Sequence, residues 1–139
     1  MGSINTGRVV VGGIVAGLVI NVSEFVLNTA VLGSQMQEAM TRMQLPPMGG
    51  AAMGAFTVMG FAIGIVLLWL YAAIRPRYGA GPTTALCAGS AVWFLAYFYG
   101  SVGMVAMGMF PLRSMLIGLT WGLVELLLAA VAGAYFYKE

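Results

Sequence analysis

The sequence predicts an all-α integral membrane protein, a four-helix bundle with both termini on the cytoplasmic side. Three observations predict it. Hydrophobic residues make up 61% of the chain and charged ones 7%, against roughly a quarter charged in ordinary soluble domains. The apolar residues gather into four runs, approximately 9–33, 49–73, 83–107 and 112–137, each long enough for the roughly 20 residues of a bilayer crossing. The basic residues fall unevenly: Arg8, Arg75, Arg77 and Lys138 lie on the face of the N-terminus, second loop and C-terminus, and Arg42 and Arg113 on the other. A bias of that kind marks the cytoplasmic face. At 139 residues, a single transmembrane domain accounts for the whole chain.

The first run is about 25 residues long, beyond the 7–15 of a signal-peptide core, and reads as a retained span. It is interrupted by Asn21, Ser23, Glu24 and Asn28, polar groups that inside a bilayer need protein, water or a ligand around them. After it, Ser34 and Gln37 have capping-box spacing, and Met36, Ala39, Met40 and Met43 recur at helical intervals opposite Gln37, Glu38, Thr41 and Gln44. That pattern predicts a short amphipathic helix over 34–44 at the outer interface, with Glu38 and Arg42 placed for an i,i+4 pair and Leu45-Pro46-Pro47 as the stop. The second run should end at the turn-rich basic loop Arg75-Pro76-Arg77-Tyr78-Gly79-Ala80-Gly81-Pro82, and the third at the tight loop Gly108-Met109-Phe110-Pro111. Tyr71, Tyr78, Tyr135 and Tyr137 would form the inner aromatic belt, and Tyr97, Tyr99 and Phe110 the outer one.

Small residues recur at packing intervals. Gly13/Gly17, Gly50/Gly54, Gly60/Gly64 and Gly118/Gly122 are GxxxG pairs, which let helices approach closely where lipid supplies no hydrophobic drive between them. The same chemistry serves a compact bundle, a homo-oligomer and a docking face on a larger complex. With 20 glycines, there is more small-residue surface than one small bundle uses, which favours an additional contact.

On the first helix Gly13, Gly17, Asn21, Glu24 and Asn28 lie within about 80° of one another. The fourth span repeats their spacing through Ser114, Gly118, Gly122, Glu125 and Ala129. At about 1.5 Å per residue, Glu24 lies some 14 Å and Glu125 some 20 Å from the outer ends of their helices. The two carboxyls are therefore expected in one layer, at a contact between the first and last helices. No Lys or Arg lies in the interior of any run, and an unpaired carboxylate at a helix centre costs at least about 2–4 kcal/mol. Three arrangements meet that cost: protonated carboxyls hydrogen-bonded to Asn21, Ser23, Asn28 or Thr120, a wet cavity, or a bound cation, with one proton shared between close carboxyls. Trp93 and Trp121 fall mid-span, where indoles either pack the core, with Glu125 or Ser90 taking an N–H, or wall a pocket for a quinone, pigment or lipid tail.

Other chemistry is excluded. Without His, and with Cys87 alone, there is no bis-His haem, no Ser-His-Asp triad, no zinc cluster and no internal disulfide. Six basic residues against four acidic are too few and scattered for a nucleic-acid surface. Soft thioethers at Met36, Met40 and Met43, bordered by Met104, Met107 and Met109, suit Cu(I), but methionine is also an ordinary way to build an apolar face, and no metal or cofactor is expected.

A first span ending in Phe25-Val-Leu-Asn-Thr-Ala-Val-Leu32-Gly33, a helical outer stretch with Met36 and Met40, three further spans and a closing Pro111-x-Arg113, Gly118 and Ala130-x-x-Gly133-Ala134 resemble the small bacterial four-span proteins grouped as DUF1761. The resemblance implies a four-helix bundle of the bacterial inner membrane, with no known activity and no catalytic residue to carry over. The expected function is that of a non-enzymatic membrane protein acting as an oligomer or accessory subunit, in contact with lipid and other membrane proteins. Its rivals are a small proton or cation transporter or channel using Glu24 and Glu125, and a binder of a hydrophobic ligand.

Overall fold

The computed structural model describes residues 2–139. Its elements, in order, are α1 (Thr6–Val26) running into a π-helical turn (Leu27–Val31), α2 (Gly33–Arg42), α3 (Gly50–Tyr78), α4 (Pro82–Trp93), a second π turn (Phe94–Phe98), α5 (Tyr99–Ala106) and α6 (Leu112–Phe136). No strand occurs among the described residues. Four continuous helices, Thr6–Val31, Gly50–Tyr78, Pro82–Ala106 and Leu112–Phe136, are long and apolar enough to cross a membrane. They form a bundle in which α1 packs on α3 and α6, α4 packs on α3 and α6, and α3 meets α6 across the diagonal.

The core follows one stripe on each helix. On α1 the buried residues are Val9, Gly12, Gly13, Ala16, Gly17 and Ile20, and on α3 burial begins only at Gly60 and continues through Gly64, Leu67, Leu68, Tyr71 and Ala72. These repeats of three and four residues are the helical period that puts side chains on one face. The stripes meet very closely. A Cβ on Gly13 would lie 2.6 Å from Cα of Ile65, one on Gly17 would lie 2.9 Å from Cα of Phe61, and one on Gly64 would lie 2.6 Å from the backbone nitrogen of Gly17. Only glycine permits that approach, and dispersion contacts between the two backbones replace those a side chain would make.

Both termini sit at one end, and that end is tied together. The Asn5 side chain caps α1 by accepting from the Arg8 backbone N–H at 3.1 Å. The Tyr137 hydroxyl accepts from the Asn5 backbone N–H at 3.2 Å, Arg75 pairs with Glu139 at 3.0 Å, and the Arg75 guanidinium stands 5.4 Å from the Tyr137 ring centre. Here α3 runs further than the sequence suggests, through Pro76 to Tyr78. Proline removes one ladder bond and crowds one carbonyl, but this near the helix end the loss is confined. The Gly79 N–H still donates to the Arg75 carbonyl at 2.8 Å, and the helix stops where Gly79 takes φ +88°, a conformation natural to glycine.

The opposite end is looser and corrects two expectations. The short outer helix is present as α2, with Ala39 buried and Met36, Met40 and Met43 half-buried, but its capping box does not form. The N-cap position is Leu32 and carries no side-chain cap, because the helix starts a residue before Ser34, straight out of the π turn. Nor do Glu38 and Arg42 pair: Arg42 Nη2 instead donates to the Met109 carbonyl at 3.0 Å. That contact joins two similar helix ends, since Leu45 N–H donates to the Met40 carbonyl and Met109 N–H to the Met104 carbonyl, each at 2.9 Å, with Gln44 at φ 55° and Gly108 at φ 72°. Both are Schellman closures.

Candidate functional site

The first π turn has a local cause. Asn28 Nδ2 donates to the Glu24 carbonyl at 2.8 Å and Thr29 Oγ1 to the Phe25 carbonyl at 2.6 Å, occupying acceptors that the α-helical ladder would use. Side chains competing in this way loosen the turn, and Leu32 N–H closes it by reaching back to the Leu27 carbonyl at 2.7 Å. Directly after α4 the run Phe94-Leu-Ala-Tyr97-Phe98 forms the second π turn. A π turn holds an extra residue and re-aims the side chains around it. Glu24 thus precedes one such turn, Asn28 lies within it, and Tyr97 lies within the other.

Between the two turns the polar side chains gather. The carboxyls of Glu24 and Glu125 are neighbours, with Ser23 beside Glu125. Glu125 is only 2% exposed. The Tyr97 hydroxyl donates to its Oε1 at 2.7 Å, while its Oε2 is buried with no hydrogen-bond partner. Asn28 Nδ2 donates to Glu24 Oε2 at 3.0 Å, and Trp121 Nε1 donates to Ser23 Oγ at 2.9 Å. Gly122 makes the arrangement possible, since a Cβ there would stand 2.7 Å from Cε2 of the Tyr97 ring. No basic side chain enters the cluster: every Lys and Arg on the four long helices lies within one turn of a helix end.

Beside the cluster a shallow groove of about 640 Å³ runs along α6, open to the side. Its walls are apolar, Leu116, Ile117, Val124 and Leu128, and its polar margin includes Ser23, Trp121 and Glu125. A second cavity, of about 150 Å³, lies toward the opposite end from the termini, where Met36, Met104 and Met115 surround the hydrogen-bonded side chains of Ser114 and Gln35. No group of three His, Cys, Asp or Glu side chains gathers among the described residues.

The polar stripe of α1 divides between two neighbours. Glu24 faces α6, but Gly13 and Gly17 meet Gly64, Ile65 and Phe61 of α3 rather than Gly118 and Gly122. Asn21 stays out of the carboxyl cluster: its Nδ2 donates to the Gly17 carbonyl at 2.9 Å and the Thr57 carbonyl at 3.2 Å, with Gly60 against it. A Cβ on Gly118 would come no nearer than 3.9 Å to Leu32, and Gly50 and Gly54 have nothing within 4 Å, so Gly50 and Gly54 make no close helix contact within the chain, and of the Gly118/Gly122 pair only Gly122 does, against the Tyr97 ring. The close approach of first and last helices is at Gly12 and Gly133, each 2.7 Å from the other's carbonyl oxygen if given a Cβ. Trp121 lines the groove, whereas Trp93 packs on Phe98 at 5.5 Å and donates to the Leu119 carbonyl at 3.0 Å, so the two indoles wall no common pocket.

Tyr97 is the residue that belt reasoning misplaces. It is inside the bundle, not at an interface, and the signal was its depth: about 10 residues, or 15 Å, from the end of its run puts a phenol in the layer of the glutamates. Comparison with protein-family models, curated proteins and solved structures finds no match to the chain.

Proposed function

We propose that this chain is a non-enzymatic, multi-pass membrane protein with cytoplasmic termini that takes up and releases a proton or another cation at the Glu24–Glu125 pair, as a small transporter does. The observation that carries this reading is the bare Oε2 of Glu125. A hydrogen-bond knot built only to fasten helices would use its acceptors, since a buried polar group left unpaired costs about 1–3 kcal/mol. Here one oxygen accepts from Tyr97 and the other has no partner, beside a second carboxyl. Oxygen acceptors with no basic neighbour make a cation site. In liposomes, wild-type protein should support flux driven by a pH gradient, and Glu24→Gln with Glu125→Gln should abolish it while helical content and assembly persist. Unchanged flux in the double variant removes the reading.

A second reading, self-assembly or attachment to a larger membrane complex, is favoured by the end remote from the termini. No residue of α5 is buried, and none of residues 50–59 on α3 is. A Cβ at Gly50 or Gly54 has nothing within 4 Å in the chain. The Gly50→Leu, Gly54→Leu variant should therefore change migration on native gels without loss of stability if these faces meet a partner, and identical migration counts against it.

A further inference from the structure

We propose that the carboxyl pair receives its cation from the side, as the protonated amine of an otherwise apolar molecule whose body lies in the groove along α6. The inference rests on the cation-site reading above and adds the chemical class of the cargo. Its first support is the inventory of donors. The Trp121 N–H is engaged by Ser23, the Tyr97 O–H by Glu125 Oε1 and the Asn28 amide by Glu24. Of the cluster's buried acceptors Glu125 Oε2 has no partner, while the hydroxyl residues Ser23 and Thr120 also line the groove. A guest that brings N–H or O–H donors can satisfy the Glu125 oxygen.

Charge narrows the choice further. Glu125 is 2% exposed, borders the groove, and shares its surroundings with a second carboxyl and no basic group. A hydroxyl guest supplies a donor only, whereas an ammonium guest supplies donors and the missing countercharge, in a medium where hydrogen bonds to charged partners are the strong ones. The walls determine the rest of the molecule. Leu116, Ile117, Val124 and Leu128 offer it only apolar contact, and the groove opens laterally, so an alkyl or aryl body enters without passing a polar mouth. Small inorganic ions meet the oxygen requirement but leave those walls unused.

Three probes with one alkyl chain test the inference: dodecylamine, dodecyltrimethylammonium and dodecanol, titrated calorimetrically into protein-loaded nanodiscs with empty nanodiscs subtracted. The amine has charge and N–H, the quaternary ion charge alone, the alcohol a donor alone. Dodecylamine should bind about tenfold or more tightly than either of the others, the margin expected of a charged hydrogen bond, and Glu125→Gln should remove the margin. Val124→Phe, which narrows the groove without touching a carboxyl, should weaken amine binding as well, so that the result does not hang on one variant's folding. Equal binding of the three probes, or an amine preference that survives Glu125→Gln, overturns the inference. Glutamate-dependent proton flux alongside equal probe binding overturns it while leaving the cation site standing; loss of both takes the two readings together.

Discussion

The half of the bundle that holds the termini and the half away from them are crossed by the same long apolar helices yet pack differently. Near the termini, glycine stripes on α1 and α3 bring two backbones into contact, and Leu67, Leu68, Ala85, Ala88 and Ala129 are wholly enclosed. In the other half, α5 has no buried residue, and both long helices that bear a π turn loosen there. Apolarity alone therefore does not pack helices in this protein. Small residues facing small residues do, and where they cease, both helices loosen into π turns, the first opened by side chains that bond their own backbone, and room is left for a site. Glu24, Tyr97 and Glu125 stand at that boundary.

The largest test of the contrast pairs two glycines of one helix. Gly64→Leu drives a side chain into the backbone of Gly13 and Gly17, where nothing flexible can yield, and should cost about 3 kcal/mol or more. Gly54→Leu, with nothing within 4 Å, should leave thermal stability in detergent unchanged. Similar melting of the two variants would break the comparison. At the boundary the effects are smaller. Tyr97→Phe removes the donor to Glu125 Oε1 and leaves both oxygens bare, for about 1–3 kcal/mol. Gly122→Ala should reproduce much of that loss by displacing the Tyr97 ring, while Gly118→Ala, whose nearest neighbour is Leu32 at 3.9 Å, should not. Trp121→Phe, which forfeits only the bond to Ser23, should cost about 1 kcal/mol by the same denaturation assay.

What the sequence made legible follows the range of the interactions. The four long helices were readable because their length and apolarity are properties of each segment alone, and the nearness of Glu24 to Glu125 could be expected from depth counted along each helix. Partners across the bundle were not. Gly13, Gly17, Asn21, Glu24 and Asn28 share a stripe, but a stripe about 80° wide touches two neighbours, and periodicity does not say which neighbour each residue meets. The first π turn was hidden for a different reason: Asn28 reads in the sequence as a polar group seeking a partner across the bundle, whereas its amide and the Thr29 hydroxyl reach carbonyls one turn back on their own helix.

The mildest prediction concerns the fastening of the loose half. Arg42 leaves Glu38, four residues away and exposed with it, for the Met109 carbonyl. That carbonyl lies just beyond the Gly108 closure of α5, so the guanidinium links the end of α2 to the end of α5 across the opening. Being solvent-exposed, the bond should be worth only about 0.5 kcal/mol, too little to move global unfolding. Its loss should instead appear locally. Arg42→Ala should accelerate hydrogen exchange of the α2 amides while those of α1 and α3 near Gly13 and Gly64 keep their protection, because the two halves open with different free energies. Equal acceleration in both halves would mean that the bundle opens as one unit, and the division between packed and open halves would lose its energetic meaning.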